Sequence, residues 1–192
     1  MIDLDIHQLI LSLKYFGILI LLILNGAFNF PSSQIIYLIT GYFVSVGKLS
    51  FVPVIIVGAI GNTIGNLIVY KIVYKYGENA VRKFLFIKKE TLNETLTKLN
   101  KELSNRGVWW LFLGKLIPSI KVFVPAVAGI AKINYPIAIL VFFLGSLVWA
   151  TIVNYIGYEF GENITLKGYA LVMSIVGIIV MYITYKKLKH KR

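Results

Sequence analysis

The stretch Trp109-Trp110-Leu111-Phe112-Leu113-Gly114-Lys115-Leu116-Ile117-Pro118-Ser119-Ile120-Lys121-Val122-Phe123-Val124-Pro125 decides how the chain is read. It lies in an apolar run over 108–130 that carries two prolines and two lysines. Proline removes a backbone donor and clashes with the preceding turn, so a helix should end or kink at Pro118. Divided there, the run gives two arms of about eleven residues, too short to cross a hydrocarbon core at 1.5 Å per residue. This predicts a re-entrant hairpin with a broken tip. A single kinked spanning helix is the alternative.

The rest of the chain agrees with a membrane setting. Of its 192 residues, 58% are hydrophobic and only 15% charged, with a mean hydropathy of +0.79. A soluble domain of that size could not hide so much apolar surface. Further apolar stretches cover 9–30, 34–46, 51–74, 136–158 and 168–185. Those at 51–74, 136–158 and 168–185 are long enough to span, as is 9–30. The 34–46 stretch is short and follows Pro31-Ser32-Ser33, which makes 9–47 a second re-entrant hairpin. The acidic Met1-Ile-Asp-Leu-Asp start lacks the basic n-region of a signal peptide, so the first apolar run is expected to stay.

Fifteen of the 20 basic residues fall in 71–107, at Lys132 or in 186–192. The positive-inside rule assigns all three places to the cytoplasm. With 108–131 dipping in and returning, the spans 51–74, 136–158 and 168–185 alternate correctly. The 75–107 linker and the basic 186–192 tail are then cytoplasmic. The expected fold class is an all-α integral membrane protein: two opposed re-entrant hairpins plus about three full transmembrane helices, in a single membrane domain over 1–192. The formal charge of +12 thus reflects membrane orientation, with no nucleic-acid partner implied. Within the linker, Leu92, Leu96, Leu99 and Leu103 mark an amphipathic helix over 88–104, opened by the capping box Thr91-x-x-Glu94.

A weak internal repeat accompanies this topology. Pro31-Ser32 precedes Gly41 and a span carrying Gly61 and Tyr70; Pro118-Ser119 precedes Gly129 and a span carrying Gly145 and Tyr155. Inverted repeats with discontinuous helices are an architecture of secondary transporters. Gly58, Gly61 and Gly65 sit on the first span, and Gly61-x-x-x-Gly65 is a close-packing signature.

Lys115 and Lys121 need an explanation, because a charge in hydrocarbon costs ~2.5–3.5 kcal/mol on insertion scales. They could snorkel back to the interface. The functional reading is that they flank the broken tip at Pro118-Ser119 and grip an anionic phosphate headgroup, aided by free backbone N–H groups. Across from them the first tip would offer Asn25, Asn29, Ser32, Ser33 and Gln34, polar groups that could donate to phosphate or satisfy the broken backbone. Asn62 and Asn66, four apart beside the glycines, are read first as helix contacts.

Catalysis finds little support. The histidines are His7 and His190, at the two ends, and the chain has no cysteine. No carboxylate pair falls within an apolar stretch, and no phosphate-binding Gly-x-x-x-x-Gly-Lys loop is present. No enzyme activity, cofactor or metal is expected.

At Phe30-Pro31-Ser32-Ser33-Gln34, Gly58-Ala59-Ile60-Gly61-Asn62 through Tyr70, Phe112-Leu113-Gly114-Lys115-Leu116-Ile117-Pro118-Ser119-Ile120-Lys121, Ala128-Gly129 and Gly145 through Gly161, the chain resembles the DedA family of VTT-domain membrane proteins. The resemblance covers nearly the whole chain. It implies lipid translocation between leaflets of the cytoplasmic membrane, with a polyprenyl (undecaprenyl-type) phosphate as the expected substrate. A non-selective phospholipid scramblase and a non-transporting scaffold working through 88–104 are the alternatives. Lys115, Lys121, Ser119, Pro118, Ser33, Gln34 and Asn25 are the expected substrate-binding residues, with Pro31, Gly41, Gly58, Gly61, Gly65, Gly129 and Gly145 in packing roles. Membrane lipids are the expected partners, and a homo-oligomer is allowed but not required. The family's embedded acids fall at Asn25 and Gln34, which cannot titrate, and its two arginines at Lys115 and Lys121. Transport independent of a proton gradient through that pair is therefore expected.

Overall fold

Two long helices pack across each other, and the other described helices are arranged on them. The computed structural model describes residues 6–77, 97, 101–118 and 120–160, and among these the regular structure is all helical. In chain order the helices are α1 (Ile6–Phe28), α2 (Ser33–Ser45), α3 (Phe51–Tyr76), α4 (Trp109–Lys115), α5 (Val124–Ile130) and α6 (Tyr135–Phe160). The expected span at 168–185, the tail at 186–192, most of the 88–104 helix and Ser119 lie outside the described residues.

Helices α3 and α6 each have 26 residues, about 39 Å at 1.5 Å per residue, enough to cross a membrane. They run antiparallel. Phe51 at the start of α3 meets Tyr158 near the end of α6 with rings 6.3 Å apart, while Tyr70 meets Tyr135 at 6.0 Å. Val52, Ile56, Ile60, Ile64 and Ile68 form an exposed apolar stripe along α3 at four-residue spacing. The opposite side of that helix buries Thr63 and Asn66. Apolar outside and polar inside is the arrangement lipid selects, since water would favour the reverse.

Each broken segment doubles back. Helix α1 bends at Lys14, where φ is 46° and ψ −125°, and the chain turns after Phe28 through Asn29 (φ 57°) and a cis Phe30–Pro31 bond into α2. In the second segment α4 ends at Lys115 and α5 starts at Val124. A Cβ built on Gly114 would stand 3.0 Å from Val124 Cγ2, contact that a continuous helix would forbid across ten residues. The arms are seven residues each, shorter than the expected eleven. The break is wide because two prolines act on it: Pro118 lies in the turn, and Pro125 sits in the first turn of α5, where its missing N–H costs nothing.

The arms pack crosswise. Helix α1 lies on α3, but its hairpin partner α2 lies on α6; α4 lies on α6, but its partner α5 lies on α3. Glycines let these backbones touch. A Cβ at Gly61 would meet Leu19 O at 2.7 Å, and one at Gly65 would collide with Ile23 O, both on α1. Gly41 of α2 is pressed against the Asn154 and Gly157 backbone of α6, and Gly129 of α5 sits 2.8 Å from Tyr70 O of α3 by the same measure. Two apolar cores result. One joins α1 and α2 to the first half of α3 and the second half of α6; the other joins α4 and α5 to the remaining halves. Leu103, from the described end of the 88–104 segment, belongs to the second core, and Glu102 beside it accepts from Trp110 Nε1 at 3.0 Å and from Arg106 Nε at 2.7 Å.

Candidate functional site

Between the two cores lies a polar centre. Asn62 is the twelfth residue of α3 and Ser146 the twelfth of α6, so an antiparallel crossing brings them together: Ser146 Oγ donates to Asn62 Oδ1 at 2.8 Å. Lys115 Nζ at 3.2 Å and Asn66 Nδ2 at 2.8 Å donate to the same oxygen. Asn62 Nδ2 donates in turn to Asn25 Oδ1 at 2.9 Å, and Asn25 Nδ2 to Pro31 O at 2.7 Å, which ties the centre of α3 to the first broken tip.

The second lysine reaches the same place from the other side of the α4–α5 turn. Lys121 Nζ donates to Ser33 Oγ at 2.7 Å and stands 4.7 Å from the centre of the Trp149 ring, a cation–π distance. Lys115 and Lys121 are only 4% and 9% exposed. The stem of Lys115 fits because residue 145 has no side chain; a Cβ there would stand 2.6 Å from Lys115 Cβ. Snorkelling to an interface is therefore not what this structure records for either amine.

The lining also includes Asn29, Tyr37, Val69 and Val122, and among the described residues it contains no carboxylate or imidazole. The cavity it leaves is about 20 Å³, room for one water molecule. Two polar groups of lining residues have no partner among the described residues: the Tyr37 hydroxyl and the Trp149 indole N–H, both buried.

Of the residues expected from sequence, the structure brings Lys115, Lys121, Asn25 and Ser33 to this centre. Gln34 stands one step back, where its Oε1 accepts from Ser32 at 2.7 Å and Ser33 at 3.4 Å. Pro118 is in the turn without lining the cavity, and Ser119 is outside the described residues. Asn62 and Asn66, read first as helix contacts, are the hub of the network. Ser146, Trp149 and Tyr37 were not singled out for binding. Their only signal is spacing, since Tyr37 follows Ser33 by four residues and Trp149 follows Ser146 by three, continuing one helical face.

Two membrane-capable helices crossing at a pair of buried lysines, wrapped by two broken segments, define a helical membrane protein with a cationic centre. The chain belongs to the VTT-domain family, whose model matches residues 18–159. The uncharacterized membrane protein YkoX of Bacillus subtilis is 29% identical over 94% of this chain and 82% of its own. Undecaprenyl phosphate transporter A of Staphylococcus aureus is 27% identical over 97% of each chain. An alkaline phosphatase-like protein of Lactococcus lactis is 27% identical over 82% of this chain and 76% of its own. No solved structure matches the chain. These relatives place it in a family of membrane proteins that includes lipid transporters.

Proposed function

We propose that this protein carries a phosphate-bearing lipid, with polyprenyl phosphate as the substrate, between the leaflets of the cytoplasmic membrane. One observation carries the reading: two lysine amines are buried midway along the crossing helices, and the described residues around them supply no carboxylate. A buried cation needs a counter-charge, and an anionic headgroup passing the membrane midplane would supply it. The name of the Staphylococcus relative favours a polyprenyl phosphate. The name of the Lactococcus relative suggests hydrolysis, but the described lining offers no carboxylate, imidazole or thiolate to hold a catalytic metal.

The arms of the broken segments fit re-entrant hairpins. The straight part of α1 (Leu13–Phe28), α2 of 13 residues and the seven-residue α4 and α5 all fall short of the ~30 Å core. The crosswise packing supports an inverted repeat. So does the pairing across the centre: Ser33 and Lys121 touch and are 88 residues apart, the separation of the equivalent glycines Gly41 and Gly129. A pseudo-twofold axis makes equivalent positions meet in this way. With this topology the 75–107 linker faces the cytoplasm.

The test is translocation of labelled polyprenyl phosphate and a labelled phospholipid in proteoliposomes, wild type beside Lys115→Ala/Lys121→Ala. Loss of polyprenyl phosphate movement in the double variant is expected. Equal movement of both lipids in wild type would make the protein a scramblase. No movement by a folded protein would overturn the transport reading altogether. Because Asn25 and Gln34 cannot titrate, collapsing the proton gradient is expected to leave the wild-type rate within about twofold.

A further inference from the structure

The oxygens that meet the two lysines are already engaged, while two other buried polar groups on the same lining are left over. Asn62 Oδ1 takes three donors, Asn25 Oδ1 takes Asn62, and Ser33 Oγ takes Lys121. The Tyr37 hydroxyl and the Trp149 indole N–H remain buried without a partner among the described residues. Indole nitrogen can only donate, and a buried donor left unpaired is costly. Trp149 also lies beneath the Lys121 amine, which places its indole N–H in the neighbourhood of that cation. Two lysines with an unpartnered indole N–H and a tyrosine hydroxyl beside them match an anionic ligand rich in acceptors.

Resting on the lipid-carrier reading, we propose that Tyr37 and Trp149 are specificity-determining residues: they donate to the non-ester oxygens of the headgroup and, with Lys115 and Lys121, select a terminal phosphomonoester. A monoester presents three non-ester oxygens and up to two negative charges to two lysines and two further donors. A phosphodiester lipid presents two such oxygens and one charge, so one of these donors would be left without an anionic oxygen. Selection then depends on the headgroup, so a monoester on an unrelated diacyl tail is recognised as well.

The experiment uses the full chain in detergent micelles, labelled with 15N at tryptophan. Its three indoles are distinct: Trp109 is exposed, Trp110 donates to Glu102 and Trp149 has no partner among the described residues. Geranylgeranyl phosphate, phosphatidic acid, phosphatidylglycerol and geranylgeraniol are titrated in turn. The Trp149 indole resonance, assigned with Trp149→Phe, is expected to move with the two monoesters and to stay put with the diester and the alcohol. Trp149→Phe keeps the ring under Lys121, and Tyr37→Phe keeps the buried ring. Each is expected to weaken monoester binding about tenfold with the melting temperature preserved. If the monoesters bind but the resonance is still and both variants retain full affinity, this assignment falls while the carrier reading stands. Equal binding of phosphatidylglycerol overturns the monoester selection. No binding of any phosphate lipid by the folded wild type overturns the carrier reading and this inference together.

Discussion

Asn62 gathers Lys115, Ser146 and Asn66 onto one amide oxygen, so its removal strands three donors at once. Asn62→Ala is expected to lower stability in detergent by about 1–3 kcal/mol, measured by denaturant or thermal unfolding. Asn62→Asp should act differently. A carboxylate there would pair with Lys115 through a charge-assisted bond but lose the donor to Asn25 Oδ1, and it would compete with an anionic ligand. Its affinity for geranylgeranyl phosphate should fall tenfold or more; an unchanged affinity would mean that Lys115 does not meet the phosphate. The two lysines were legible in the sequence because a charge in an apolar run is conspicuous. Tyr37 and Trp149 were not, because an aromatic residue in an apolar helix looks like ordinary packing until its polar atom is located. Asn62 was hidden by its neighbours: the glycines beside it do pack against α1, and that same closeness delivers Asn25 to its amide.

At the scale of elements, the helices follow local chemistry. Proline punctuation at 31, 118 and 125 and glycine at 77 (φ 68°) bound them, so their positions could be read within a few residues. Which arm rests on which long helix could not be read, since the seats are backbone contacts. Gly41 rests on α6 and Gly129 on α3, each near a hydrogen bond between its broken segment and that long helix. Thr40 Oγ1 donates to Asn154 Oδ1 at 2.8 Å, and Tyr70 OH donates to Ile133 O at 2.6 Å. Gly129→Ala would place a methyl against Tyr70 O and Tyr74 N, backbone atoms that cannot step aside. A loss of about 1–3 kcal/mol is expected. Thr40→Val, which deletes the bond to Asn154 and a longer one to Tyr37 O at 3.1 Å with nearly constant shape, should cost less, about 0.6 kcal/mol per bond by the average for such bonds in membranes. Thermal unfolding of both variants side by side checks the order.

For the whole molecule, the small central cavity sets a requirement. A phosphate group is larger than the space available, so the proposed carrier function requires the broken tips to separate from the long helices when a headgroup passes. Because the chain has no cysteine, this can be probed cleanly with Thr40→Cys/Asn154→Cys, which would fasten α2 to α6. Oxidation is expected to stop polyprenyl phosphate movement in proteoliposomes at least tenfold, and reduction to restore it. Undiminished transport by the fully crosslinked protein would show that α2 stays seated on α6 throughout the cycle.

The crossed seating of the arms also bears on how the chain is made. Helix α2 finishes at Ser45, yet the helix that receives it begins at Tyr135, about ninety residues later. At a synthesis rate of ~5–20 residues per second, α2 waits for its partner for roughly 5–20 s. During that interval its glycine seat and Thr40 hydroxyl face lipid or the insertion machinery. Nascent chains released before Tyr135 should therefore be degraded quickly, whereas supplying 101–192 as a separate polypeptide should rescue them. The ribosome, as much as the bilayer, meets this protein with half of its architecture still missing.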